Sequence, residues 1–476
     1  MESLQTAAAL LYDLFVGPYE RLYDTSPTDF LNALGKVAKE QMPLSIHGDT
    51  VDKSDPVIRG FIHFSKWIVG SYGGFLPIST TSDSTLGIPK LITGDEAYIS
   101  FLLNTTHVER EDLLYSNFGD DSIAASSSTI TPPPFFVLND HQSQSVVLLI
   151  RGTKNLNDFI VDMSSASLPW EEGSVHEGIG LIATHIADSP AVRAAIAKGL
   201  EQHPNYRVRT VGHSLGAGLA ALIAIRWNNA AVFPDVECFA FAPPPILTRS
   251  VKNRGESFVH SLVNEDDMIP RLNATCVREL ARRVERAIDA KEREEAVKTQ
   301  RSVRAWAQSL QSLTRSVKRN AQDMLNGVMA VADVAVQPAL ALVSGEEDGS
   351  WSDQWNSLRK RSRRWIADEE NGDSGEKWKS CVVDELFLPG TIYYFHPCIG
   401  DFEAYMEYER EKNTTSMMSS FLSVLPSSTV KYAPAILRMP PDTFPQVLRV
   451  SPSMMSHHSF SAYDKCLQFY CGHSSP

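Results

Sequence analysis

The 476-residue sequence predicts an α/β fold with a mostly parallel central sheet. Two observations carry that prediction. From residue 135 to about 263, short runs rich in Val, Ile, Leu and Phe alternate with helical patterns, as in chains that wind helices around parallel strands. One of those runs, Arg207-Val208-Arg209-Thr210-Val211, passes through Gly212-His213-Ser214-Leu215-Gly216 into the small-residue helix pattern Ala217-Gly218-Leu219-Ala220-Ala221. A serine on so sharp a strand-to-helix turn has the form of a nucleophile elbow. The flanking glycines let the turn close, and the helix N-terminus offers backbone N–H groups to a developing oxyanion. A tight turn with a capping serine has the same local pattern, so the remaining elements carry the decision.

Taken in order, residues 1–75 have helical spacing. Leu10, Leu11, Leu14 and Phe15 form one apolar stripe, and Phe61, Phe64 and Ile68 another. Residues 83–131 are mixed, with a serine-rich loop at 122–128 that ends at Pro132-Pro133-Pro134. Phe135–Leu138 and Ser145–Ile150 read as a hairpin around Asn139-Asp140-His141-Gln142. Helices are expected within 176–200, and strands at 236–242, 257–263 and 391–395. Val447–Val450 is strand-like.

Residues 274–385 differ from their surroundings. Between 278 and 319, twelve Lys/Arg face six Asp/Glu in a chain whose formal net charge is −13. Five of the eight tryptophans (306, 351, 355, 365, 378) fall in this segment, next to Arg359-Lys360-Arg361-Ser362-Arg363-Arg364. Basic helices with tryptophans suit an anionic membrane interface, and a solvated helical hairpin packed on the main body fits the same pattern. The 351–365 stretch also has the form of a calmodulin-type target. The reading divides the chain into a helical region at 1–131 packing on the core, a first core part at 132–273, the insert at 274–385, and a last core part at 386–476.

The acidic balance argues against nucleic acid as a partner. Cys238, Cys276, Cys381, Cys398, Cys466 and Cys471 have neither C-x-x-C metal spacing nor a dense disulfide framework. Met1-Glu2-Ser3-Leu4-Gln5 lacks the basic start of a secretory leader. Gly327–Val343 is interrupted by Asp333, Gln337 and Pro338, which is unsuitable for a membrane span. A cytoplasmic protein, peripherally associated with membranes, is the expectation.

A nucleophilic serine needs a base, and the base needs an orienting acid. In α/β hydrolases these follow in the order Ser, Asp/Glu, His. The run at 257–263 leads into Asn264-Glu265-Asp266-Asp267, so Asp266 and Asp267 are both candidates for the acid. His457 and His458, after Ser451-Pro452, are both candidates for the base. Leu215 N–H and Thr153, in Ile150-Arg151-Gly152-Thr153, are the candidate oxyanion donors.

These motifs, together with His176-Glu177-Gly178, Phe241-Ala242-Pro243-Pro244, Met268-Ile269-Pro270-Arg271 and Leu388-Pro389-Gly390, resemble the class 3 lipases, specifically sn-1-specific diacylglycerol lipases. The likeness covers roughly 135–273 and 386–463. It implies an α/β-hydrolase fold with N-terminal helices and a long helical insert. It also implies Ser214 as nucleophile, Asp267 as acid, His458 as base, Thr153 and Leu215 as the oxyanion hole, and Asp162 as support for the oxyanion loop. The implied reaction is hydrolysis of an acylglycerol ester without cofactor or metal. A lid is implied at 154–170, with Phe159-Ile160-Val161 and Leu168-Pro169-Trp170 on its apolar face. Triacylglycerol lipase, phospholipase A1 and a lipid-binding relative without activity are the alternatives.

Overall fold

The computed structural model describes residues 25–41, 46–73, 95–118, 123–124, 129–153, 167–170, 173–273, 275–291, 385–396, 435–451 and 453–472, with isolated helical residues to 301. The apolar stripe at Leu10–Phe15, Asp162 and the Trp351–Trp365 stretch lie outside them. The described residues of 40–280 and 379–476 belong to one compact unit, and those of 25–39 and from 281 to a second.

The first unit is built on a nine-stranded sheet. Its strands are β1 (Asp49–Thr50), β2 (Leu113–Asn117), β3 (Phe135–Asp140), β4 (Ser145–Ile150), β7 (Arg207–His213), β8 (Glu237–Phe241), β10 (Val259–Asn264), β12 (Thr391–His396) and β13 (Ala435–Met439). Their spatial order is β1-β13-β12-β10-β8-β7-β4-β3-β2. The five central strands β4, β7, β8, β10 and β12 are parallel. Antiparallel strands close both edges. All six residues of β4 and of β10 are buried, the pattern of strands covered on both faces. A small antiparallel sheet joins β5 (Ser167–Trp170), β6 (Gly173–His176), β9 (Leu247–Thr248) and β11 (Leu386–Phe387).

Helices cover the sheet. Helix α2 (Pro56–Ser71) starts on Asp55, whose carboxylate accepts from Val57 N–H, with Pro56 in the first turn where its missing N–H costs nothing. It buries Phe61, Phe64, Trp67 and Ile68. The Phe61 ring meets Phe239 and Phe241 edge-on at 5.4 and 5.1 Å, which joins α2 to β8. Helix α3 (Asp95–Thr106) follows, then α4 (Glu177–Asp188) and α5 (Pro190–Gln202). Helix α6 (Leu215–Asn229) is buried at eleven of its fifteen positions, so its small residues serve close packing rather than an amphipathic face. Helix α7 (Phe460–Gly472) sends Tyr463 and Leu467 into the cluster that holds α2.

In the second unit, α1 (Pro27–Lys39) buries Phe30, Ala33, Leu34 and Val37, the 3–4 spacing of a helix face. Residues 281–291 are helical and bury Ala281, Val284 and Ala287. Lys291 Nζ reaches Asp29 Oδ1 at 2.5 Å.

One reading of the sequence changes. Residues 447–450 are not a strand, although Leu448 and Val450 are buried. Gln41 takes the place of a neighbouring strand: its Nε2 donates to Val450 O at 2.8 Å and its Oε1 accepts from Val450 N–H at 2.7 Å. The antiparallel strand beside β12 is Ala435–Met439, and β1 pairs with its other side at the edge. The mixed 83–131 segment supplies α3 and the edge strand β2. No helix among the described residues is long and apolar enough to cross a membrane.

The edge-on contacts of Phe61 predict the cost of losing them. Phe61→Ala should lower unfolding stability by about 3–5 kcal/mol, read from the urea midpoint.

Candidate active site

The site begins at the end of β7. Ser214 takes φ 58°, ψ −127°, a left-handed conformation that a non-glycine residue adopts only under strain. A Cβ at Gly212 would fall on the Gly216 carbonyl, and one at Gly216 would fall on the carbonyls of Ile150 and Arg151. Only glycine lets the first turn of α6 lie this close to β4. The helix hydrogen bonds start with Ala217 and Gly218 N–H, both donating to Ser214 O. Leu215 N–H, at the first position of the helix, has no preceding turn to serve and stands beside the serine.

Three buried side chains form a continuous chain. His458 Nε2 lies 2.9 Å from Ser214 Oγ, and His458 Nδ1 lies 3.1 Å from both carboxylate oxygens of Asp267. A carboxylate only accepts, so Nδ1 carries the proton and Nε2 is left to accept from the serine hydroxyl. Asp267 follows β10 and is fully buried. Ile269 N–H donates to its Oδ1 at 2.9 Å and Tyr463 O–H to its Oδ2 at 2.6 Å. Burial alone would raise this carboxyl, but His458, Tyr463 and Ile269 N–H together outweigh it and leave the group below the usual carboxylate range. Arg271, itself fully buried, donates to Asp267 O at 2.8 Å. His458 ends a short 3-10 turn (Ser456–His458) just before α7, so one turn and the helix that follows it carry both the imidazole and the tyrosine that supports its acid.

A second chain holds the base from behind. The His213 ring stacks on that of His458 at 5.0 Å, and His213 Nε2 lies 3.1 Å from His458 O. Burial, reinforced by the neighbouring His458, pushes His213 down to about 3, so it is neutral near pH 7. A neutral ring facing a carbonyl must donate from Nε2, which leaves Nδ1 to accept from Tyr72 O–H at 2.8 Å. The Tyr72 oxygen also bonds the Gly152 backbone. Tyr72, at the end of α2, thus links the base to the end of β4.

That strand end is the expected oxyanion side. Ile150 pairs with Gly212 in parallel register, which brings Gly152 level with Ser214. A Cβ on Gly152 would sit 3.2 Å from Ser214 Cβ. Thr153 is the next residue and is half-buried.

The structure therefore brings Ser214, Asp267 and His458 together, with Leu215 next to the serine in the chain and Thr153 one residue past Gly152. It places Asp266 elsewhere: its Oδ1 lies 3.3 Å from Arg449 Nε, in a buried ion pair. The ring that meets Ser214 is that of His458 rather than His457, whose carbonyl accepts from Asn264 Nδ2 at 3.2 Å. Of the expected lid, 154–166 lie outside the described residues. Leu168, Pro169 and Trp170 belong to β5, where Trp170 is buried under the Arg226 guanidinium. Sequence reading missed Tyr72, His213 as a support, and Tyr463. A tyrosine five residues after a candidate base, on a helical pattern, was the available signal for the last.

Comparison with known proteins follows this geometry. Residues 147–276 match the family model of lipase (class 3). Over 206 residues the chain is 34% identical to diacylglycerol lipase-beta of Mus musculus, covering 41% of this chain and 29% of that protein. Diacylglycerol lipase-alpha of Homo sapiens is 31% identical over 153 residues, 29% of this chain and 14% of that one. The secreted mono- and diacylglycerol lipase A of Penicillium camembertii is 30% identical over 151 residues, covering 29% and 46%. The chain thus spans less than a third of the two animal lipases. The likeness to class 3 lipases holds over residues 147–276, the segment that carries the elbow.

Tyr463 is the clearest test of how Asp267 is held. A carboxyl held low stabilises the fold above its unfolded value near 3.9, and that contribution is lost as pH falls through the folded value. Tyr463→Phe should cost about 1.5–3 kcal/mol near neutral pH. The gap to wild type should close only in acid below about pH 4, read from urea midpoints at a series of pH values.

Proposed function

We propose that this chain is a serine lipase that hydrolyses an acyl ester of diacylglycerol, at the sn-1 position, to monoacylglycerol and a fatty acid. The observation that carries this reading is the unbroken line from Asp267 through His458 to Ser214 at a strained strand-to-helix turn.

In this reading His458 Nε2 takes the Ser214 proton as Oγ attacks the ester carbonyl, and Asp267 stabilises the imidazolium that forms. Leu215 N–H, with Thr153 through its N–H and hydroxyl, receives the oxyanion of the tetrahedral intermediate. The imidazolium then protonates the departing glyceride oxygen. Water, deprotonated by the same imidazole, attacks the acyl-serine and releases the fatty acid. His213 and Tyr72 act as positioning residues, because they touch the base and the oxyanion strand but not the reacting atoms. The substrate class is supported by the names of the relatives, two of them diacylglycerol lipases and one a mono- and diacylglycerol lipase. Contact with an anionic membrane surface is assigned to the basic 278–365 segment, and a calmodulin-type partner to 351–365. The cytoplasm is the proposed compartment.

Fatty-acid release from mixed micelles of 1,2-diacylglycerol, triacylglycerol and phosphatidylcholine tests the reading directly. Release should be fastest from diacylglycerol and fall by about 10⁴-fold or more in Ser214→Ala. Faster release from either other lipid would reassign the substrate, and no Ser214-dependent release from any lipid or short-chain ester would end the enzymatic reading. Thr153→Val keeps the backbone donor and removes the hydroxyl. Its kcat should fall about 10²–10³-fold with little change in KM. Neutralising Arg359, Lys360, Arg361, Arg363 and Arg364 should weaken binding to anionic vesicles in a flotation assay and leave short-chain ester hydrolysis intact.

A further inference from the structure

A second cluster of polar side chains lies at the opposite end of β7 from Ser214. Asp112, at the start of β2, His141, at the turn between β3 and β4, and His203, just past α5, each offer one ligand atom, and the three atoms lie within 4.8 Å of one another. Seven residues of strand separate this cluster from the elbow, about 20 Å.

The three side chains are held as metal ligands are held. His141 Nε2 lies 2.9 Å from Asp112 Oδ2. The far nitrogen, His141 Nδ1, lies 2.5 Å from Tyr206 Oη, and the far oxygen, Asp112 Oδ1, accepts from Asn139 Nδ2 at 3.2 Å. His141 and Asp112 are therefore each oriented by a further residue, the arrangement that fixes tautomer and ring angle at metal centres. His203 packs flat on the Tyr206 ring at 4.5 Å and edge-on to His141 at 5.1 Å. The backbone turns are fixed too: Tyr206 N–H donates to His203 O, and Asp112 N–H to Glu109 O. Zinc bonds of about 2.0–2.2 Å in a tetrahedron put neighbouring ligand atoms about 3.3 Å apart. His141 and Asp112 already stand near that spacing, and His203 needs only a small swing of its half-exposed ring.

Charge points the same way. Asp112 is buried, and among the described residues its recorded ion pair is with His141 rather than with a lysine or arginine. Asp140, the next carboxylate along β3, is buried as well and is engaged by His63 at 2.6 Å. A buried carboxylate with no lysine or arginine beside it among the described residues favours a cation. His141, more than half exposed, leaves the centre open to solvent on one side, which is an entry path and a place for a water ligand.

We propose that Asp112, His141 and His203 bind one divalent first-row transition ion, zinc by the chemistry of the donors, with water completing the coordination. The ion ties the edge strand β2, the β3–β4 hairpin and the end of α5 together. It takes no part at Ser214. Spacings of 29 and 62 residues between the ligands are why the sequence gives no metal motif.

The test uses the full chain, stripped with a chelator, dialysed and titrated calorimetrically with zinc chloride, with thermal unfolding in parallel. The expected result is one zinc per chain, a zinc-dependent rise in Tm, and affinity lowered at least about 100-fold in His203→Ala, with 10–100-fold in Tyr206→Phe. His203→Ala leaves the Asn139–Asp112–His141–Tyr206 bonds in place, so its loss of zinc cannot be attributed to misfolding if its zinc-free Tm matches wild type. Cobalt in place of zinc should give visible d–d bands that His203→Ala abolishes. Wild type that takes up no zinc, or His203→Ala and His141→Ala that both titrate as wild type does, would overturn the proposal.

Discussion

The close approach of α6 to the end of β4 sets the position of every group around Ser214. Two backbones meet there without a side chain between them, because Gly216 lies against the carbonyls of Ile150 and Arg151. That contact brings Gly152 level with the serine and leaves the first N–H groups of α6 facing the same space. The strain at Ser214, of order 1–3 kcal/mol, is tolerated because β4, β8 and α6 fix the turn from three sides. Ser214 N–H is anchored on Phe241 O at 2.9 Å, so the third side is a hydrogen bond to the neighbouring strand.

Around this turn the two histidines are kept in different electrostatic settings. His458 touches the buried carboxylate of Asp267. His213, stacked on it, is buried against a carbonyl and a tyrosine hydroxyl and stays neutral. Two adjacent imidazoles could compete for one proton. The Asp267 carboxylate hydrogen-bonds His458, whereas the partners of His213 are a carbonyl and a tyrosine hydroxyl.

Much of this was legible in the sequence, for identifiable reasons. Parallel strands such as Ser145–Ile150 are buried on both faces and so appear as continuous apolar runs. The elbow is legible because its glycines are sterically obligatory. The choice between Asp266 and Asp267 was not legible from the residues alone, since it depends on which carboxylate turns inward. The partner that draws Asp266 away, Arg449, lies 183 residues further on. The same segment explains the misread strand at 447–450. Its apolar residues are buried and its backbone is satisfied, but by the side-chain amide of Gln41 rather than by a neighbouring ladder. Propensity cannot distinguish those two partners. Tyr72 and His213 escaped notice because their roles arise only when α2 docks on the sheet and brings a tyrosine to the back of the elbow.

The order of the polar groups along the chain has a consequence for synthesis. Ser214 and His458 are 244 residues apart. At roughly 5–20 residues per second, a growing chain holds its serine turn for about 10–50 s before the imidazole that completes it has been made. Strands β4, β7 and β8 can pair in that interval, but α7 and the turn before it, which deliver both the imidazole and Tyr463, cannot yet dock. Until then the serine turn lacks the imidazole that stands 2.9 Å from its hydroxyl in the folded chain.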